Sequence, residues 1–141
     1  MIPRRFIANS QRHLYPYINR ENAILSQNLK LYGISNCDSV KKAKKWLTEQ
    51  SIDFEFIDFR KQPITADKVA DWVSKAGVEV VLNKRGTTWR KLTEEQQNFN
   101  SDQEAVALLH TEITLIKRPV LEVGDVLMIG FKEAEYEALK T

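Results

Sequence analysis

The sequence has one cysteine, Cys37, and two histidines, His13 and His110, far apart. A single thiol excludes an intramolecular disulfide framework and any multi-cysteine metal site. It suits a reducing compartment, so a cytoplasmic location is expected. The isolated histidines assemble no zinc ligand set, and neither a metal nor a bound cofactor is expected. No run reaches the roughly eighteen apolar residues of a membrane span, so no membrane association is expected. Repeats and low-complexity segments are also absent. The 141 residues, 43% hydrophobic, fit one domain with a real core, expected as a monomer. Net charge is only +2. Arg4, Arg5, Arg12 and Arg20 stand against Glu21 alone in residues 1–28 and account for more than all of it. The rest is close to neutral, which excludes a nucleic-acid surface built on bulk charge. Residues 1–28 also lack the apolar stretch and small-residue cleavage pattern of a secretory signal. They are expected to be a loosely ordered extension before a folded domain at 29–141.

From residue 29 the pattern becomes regular. "LKLYGI" reads as a short strand over 29–34. In "CDSVKKAKKWLTEQ", Val40, Ala43, Trp46 and Leu47 fall on one helical face and lysines fill the other. "DFEFIDF" over 53–59 reads as a second strand. A helix follows with Thr65 as N-cap, Asp67 in its first turn, a stripe of Val69, Trp72, Val73 and Ala76, and Gly77 as stop. Residues 78–92 break into a loop at 83–88. Capping boxes at Thr93–Gln96 and Ser101–Glu104 open two more helices, the second carrying Ala105, Leu108 and Leu109. Strands at 120–123 and 126–130 flank a Gly124–Asp125 turn, and a closing helix over 132–140 points Ala134 and Leu139 inward. The order β-α-β, helices, β-β-α predicts a small mixed four-stranded α/β sheet whose first two strands run parallel.

Cys37 falls where the first strand turns into the first helix. A helix start presents unpaired N–H groups and the positive end of its dipole, which favour a thiolate over a thiol. Lys41, one turn on, is expected to push the same way, while Asp38 opposes or charges the first turn. The alternative reading is a small residue filling a buried turn, since free cysteine is often buried. Spacing excludes two architectures. A dithiol motif needs a second cysteine where Val40 stands, and a phosphatase loop needs an arginine where Ala43 stands. A lone thiolate can attack a disulfide but needs an external thiol to resolve the adduct.

"YGISNCDSVKKAKKWL", "LNKRGTTWRKL" and "IKRPVLEVGDVLMIGF" occur in the order and spacing of the ArsC/Spx family, and the sequence resembles its single-cysteine YffB-like subgroup over about 29–140. The resemblance implies a thioredoxin-like (glutaredoxin-like) fold with a helical segment inserted between the second and third strands. It implies that Cys37 is the nucleophile, that Arg118 holds an anionic group, and that Pro119 is the cis-proline beside the site. It also implies a glutathione-dependent thiol reductase, with glutathione as co-substrate or a glutaredoxin-like thiol donor as partner. Asn36 and Lys41 beside the cysteine, and Arg85 in "NKRGTTWR", complete the expected anion-binding set.

The sequence departs from the arsenate reductases at Asn83 and Gly130, which align with arginines of their oxyanion site; Arg85 stands two residues from the first. With each charge-assisted bond worth about 1.5–3 kcal/mol, fewer guanidinium groups favour thiol chemistry over arsenate reduction. The resemblance leaves two other functions open, a true glutaredoxin-coupled arsenate reductase and an Spx-like regulator that docks on RNA polymerase through Gly86 and the helical insert. Elsewhere the plainer readings are preferred: Arg90 and "KKAKK" as solvated surface, Trp46, Trp72 and Trp89 as core or groove lining, and His110 as a surface cap at a helix end.

Overall fold

The computed structural model describes residues 5–7 and 29–140. In chain order the elements are β1 (Arg5–Ile7), β2 (Leu29–Gly33), α1 (Asp38–Glu49), β3 (Glu55–Asp58), α2 (Ala66–Ala76), α3 (Val78–Val81), α4 (Thr87–Lys91), α5 (Glu94–Gln97) and α6 (Asp102–Thr111). A 3-10 turn at Ile113–Leu115 leads to β4 (Val120–Val123) and β5 (Val126–Ile129), and α7 (Glu133–Tyr136) runs into a 3-10 turn at Glu137–Lys140. The chain divides into two compact units, one ending at Asp58 and resuming at Arg118, the other Phe59–Lys117. No helix among the described residues is long and apolar enough to cross a membrane.

The first unit holds the sheet, in the order β1-β5-β4-β2-β3. β2 and β3 are parallel, joined through α1, and the other pairs are antiparallel. The four expected strands are all present, and β1 adds a fifth beyond β5, with Phe6 opposite Leu127. Three residues of the supposedly loose extension therefore pair with the sheet; the rest of that expectation lies outside the described residues. The β4–β5 hairpin closes on Gly124, whose φ of 60° fits the first position of a tight II′ turn. One face of the sheet carries Leu29, Leu31, Leu121, Val123, Val126 and Met128. On it pack the α1 stripe of Ala43, Trp46 and Leu47 and the closing segment's Tyr136 and Leu139. Tyr136 meets Trp46 and Phe131 edge-on, with ring centroids 5.7 and 4.7 Å away.

The second unit is the helical insert, where α2 packs on α3 and α6. Thr65 caps α2 by accepting the Lys68 N–H at 3.1 Å, and Gly77, at φ 89°, ends it. Val69, Trp72 and Val73 of α2 are buried, as are Ala105 and Leu109 of α6, while Ala76 and Leu108 are only partly covered. An antiparallel bridge between Leu82 and Ile116, with the Lys117 N–H donating to the Val81 carbonyl at 2.7 Å, ties the exit of the insert to its middle.

Two expectations are corrected. Residues 78–92 hold two short helices around a loop that has shrunk to 83–86. Ala134 is exposed, and Tyr136 takes the inward place with Leu139. Positions five apart on a helix of about 3.6 residues per turn cannot share a face, whereas positions three apart can.

Candidate active site

The site is built where β2 meets α1. A Cβ on Gly33 would lie 2.5 Å from Cγ2 of Val40, so only glycine lets the first turn of α1 close this tightly over the strand end. The chain between them makes a turn, with the Cys37 N–H donating to the Ile34 carbonyl at 3.1 Å. Cys37 is extended, at φ −92° and ψ 128°, and is the N-cap residue; its carbonyl accepts the Lys41 N–H at 3.0 Å. At this position a serine or aspartate oxygen would take up the N–H groups of the second and third helical residues. Here the sulfur faces them. The amides of Ser39 and Val40 close no regular capping bond to the neutral thiol, yet both favour the anion.

Arg118 arrives from the other direction. β4 runs antiparallel to β2 with Tyr32 opposite Val120. Continuing that register carries Pro119 and Arg118 to the strand end from which the Cys37 turn departs. The Arg118–Pro119 bond is cis, and the Gly130 N–H donates to the Pro119 carbonyl at 2.8 Å, which anchors the approach to β5. Four influences then act on the free thiol of Cys37. Burial is the largest and disfavours the thiolate; the Val40 amide, the hydrogen bond and charge of Arg118, and the Ser39 amide favour it. Together the last three outweigh burial and hold Cys37 below the ordinary thiol range. The residue as a whole is only partly buried.

The structure thus brings Cys37, Arg118 and cis-Pro119 together, with exposed Asn36 in the same turn. Lys41 is exposed, and its described link to Cys37 is main-chain; the cationic help that was expected from it comes from Arg118. Arg85 belongs to the helical unit, in a loop with internal ties. Its N–H donates to Asn83 Oδ1 at 3.0 Å, its carbonyl accepts from Arg90 Nη1 at 2.9 Å, and Lys84 stands 5.3 Å from the centre of the half-buried Trp89 ring. Arg90 is exposed, as expected, and its bond to Arg85 also makes it a loop tie. His110, in the last turn of α6, ties its helix end to the Ile64 carbonyl at 3.0 Å. A polar cavity of about 440 Å³ in this unit is lined by Thr87, Thr88, Lys91, Gln96, Glu112 and Thr114, with Leu92. None of these was selected from the sequence as a site residue.

Two residues beside the Cys37 turn also escaped the sequence reading. Ser35 donates both its hydroxyl and its N–H to Asp58 Oδ2, at 2.6 and 3.2 Å. Asp58 ends β3 opposite Gly33 and is 8% exposed. The available signal was an acid closing a strand that runs parallel to the nucleophile's own strand, where α/β sites gather.

The family model described as the ArsC family matches residues 32–139. An uncharacterized protein of Haemophilus influenzae is 40% identical over 108 residues, which cover 77% of this chain and 95% of that protein. The global transcriptional regulator Spx of Lactiplantibacillus plantarum is 24% identical over 107 residues, 74% of this chain and 80% of that one. Among solved structures, a protein named YFFB superposes with a TM-score of 0.78 at 38% identity, over 81% of this chain and all of its own. An arsenate reductase (ArsC) related protein from Brucella melitensis does so with a TM-score of 0.66 at 40% identity, over 80% and 94%. The mixed sheet with its flanking helices is the thioredoxin-like arrangement of these relatives, and the motifs around Cys37 and Arg118 lie inside the matched span. On sequence and fold together, this chain belongs to the ArsC family.

Proposed function

We propose that the protein is a cytoplasmic glutathione-dependent thiol reductase working through Cys37 alone. The observation that carries this reading is a partly exposed free thiol, held below its ordinary pKa by helix-start amides and Arg118, in a sequence with no second cysteine. The Cys37 thiolate attacks the glutathionyl sulfur of a mixed disulfide; the substrate leaves as a thiolate and takes a proton from water. A second glutathione, its thiol proton given to solvent, attacks the Cys37–glutathione disulfide. Cys37 returns as thiolate, glutathione disulfide departs, and the electron pair spent on the substrate has come from glutathione. Arg118 orients a glutathione carboxylate at the helix start, with Asn36 and Lys41 as further polar contacts and Pro119 shaping the wall. Glutathione is co-substrate rather than bound cofactor, a glutaredoxin-like protein is the alternative thiol donor, and the working form is a monomer.

Family membership also admits arsenate as substrate, but Asn83 and Gly130 stand where that chemistry places arginines, so little arsenate turnover is expected. The likeness to an Spx regulator supports a second reading, a docking protein for RNA polymerase that uses the helical unit around Gly86. One comparison separates them. Incubated with glutathione disulfide, the wild-type protein should gain a single glutathionyl mass on Cys37, at a rate rising with pH, and Cys37→Ser should gain none. No adduct on the wild type, with polymerase recovered equally well by wild type and Cys37→Ser from native cytosol, would overturn the enzyme in favour of the regulator.

A further inference from the structure

We infer that Asp58 is a positioning residue for Cys37, acting through Ser35 rather than through its own charge. The inference rests on Cys37 being the working thiolate. The turn from Ile34 to Cys37 has Ser35 and Asn36 at its two middle positions, and both are exposed. An exposed turn of this kind is free to rock unless something outside it holds on. Asp58 supplies that hold: a single oxygen receives both the hydroxyl and the N–H of Ser35, so side chain and main chain are gripped at one point. The carboxylate is itself buried at the end of β3, and β3 is locked to β2 by parallel pairing from Lys30–Glu55 to Gly33–Asp58. The turn is thus fixed at Ser35 by Asp58, at its close by the Ile34–Cys37 bond, and beyond it by the contact of Val40 over Gly33. Those constraints decide whether the sulfur sits over the amides of Ser39 and Val40. Asp58 carries no contact to the sulfur among the groups that act on it.

This role predicts a sign opposite to the obvious electrostatic one. If Asp58 acted by its negative charge, removing it would help the thiolate and lower the thiol pKa further. If it acts by position, removing it loosens the sulfur from its amides and raises the pKa. The experiment is a titration of Cys37 by ultraviolet thiolate absorbance and by the pH dependence of alkylation, with thermal unfolding recorded alongside. The wild type should titrate below the roughly 8.5 of a free thiol; a value at or above it would end the reading of Cys37 before any variant is compared. Given a depressed wild-type value, Asp58→Ala should raise it toward the free-thiol range and cut the thiolate fraction at neutral pH by about three- to tenfold. Asp58→Asn, which keeps an acceptor oxygen but no charge, should stay near wild type. Ser35→Ala, which removes the shorter bond and leaves the backbone one, should shift in the direction of Asp58→Ala and decides the matter if that variant fails to fold. A fall in pKa in Asp58→Ala or Asp58→Asn, or a wild-type value in both Asp58→Ala and Ser35→Ala, would overturn the inference.

Discussion

At Cys37 burial and local charge pull in opposite directions, and the balance has a consequence for stability. A group whose pKa is lower in the folded chain than in the unfolded one adds stability that is fully present above its unfolded value and is lost as pH falls through the folded one. For Cys37 the upper edge of that window is about 8.5, the value of an unconstrained thiol. The wild type should therefore gain stability relative to Cys37→Ser as pH rises from below the folded value to about 8.5. Chemical denaturation of both at a series of pH values checks it, and the gain should shrink in an Arg118→Ala background, where the guanidinium no longer favours the anion. A difference that is flat or falls with pH would mean that Cys37 is not depressed in the folded protein. At this scale the sequence revealed side chains and hid amides. Cys37, Arg118 and Pro119 were legible because residue type and motif spacing identify them. The Ser39 and Val40 N–H groups carry no residue-type signal, and Asp58 looked like one more acid in an acid-and-aromatic strand. Lys41 is not among the groups that lower the Cys37 pKa, because helical spacing predicts proximity to a neighbour's Cα without saying where a flexible ammonium goes.

At the scale of elements the join of β2 to α1 matters most, because it sets the sulfur over its amides. Gly33→Ala would drive a methyl group to 2.5 Å from Cγ2 of Val40. Valine in a helix has essentially one favoured rotamer, so it cannot swing aside, and the turn or the strand end must give way. Overpacking of this kind costs about 1–3 kcal/mol. The expected outcome is a destabilisation in that range together with slower alkylation of Cys37, because the Val40 amide moves with its side chain. Val40→Ala in the same chain should recover part of both losses, and a double-mutant cycle measures that coupling. Additive effects would show that the two positions do not meet. Elements of three or more turns with a clear stripe, such as α1 and α2, were read with nearly the right ends. Short ones were not, since Val78–Val81 and Thr87–Lys91 span too few residues to show a period. Capping signals were more dependable. Thr93 and Gln96 form the full reciprocal box, whereas at α6 Ser101 accepts the Glu104 N–H and the Glu104 carboxylate takes the N–H of Asn100 instead of closing the box.

Across the whole molecule, element order was legible and the division of the core was not, because hydrophobic periodicity says which residues are buried without saying with which partners. β1 was missed for a related reason: a three-residue strand gives no alternation to count, and it exists through pairing with β5. The main sheet cluster draws all its members from the unit that contains Cys37, while the buried Trp72 and Leu109 stand on α2 and α6 of the helical unit, which pack on each other. A cavity cut into one interior should therefore be felt first in that interior. Leu109→Ala removes a side chain that is 1% exposed, and such truncations cost about 2–5 kcal/mol. Native-state hydrogen exchange should show faster exchange in the α2 and α6 amides, with protection in β2 and β4 retained and the Cys37 thiol titrating as in the wild type. Leu47→Ala, in the α1 stripe, should give the converse pattern, with weaker protection around α1 and β2 and a disturbed thiol. Equal loss of protection in both units from either truncation would mean that the protein opens as one cooperative block, and the two-unit reading of its core would have to be abandoned.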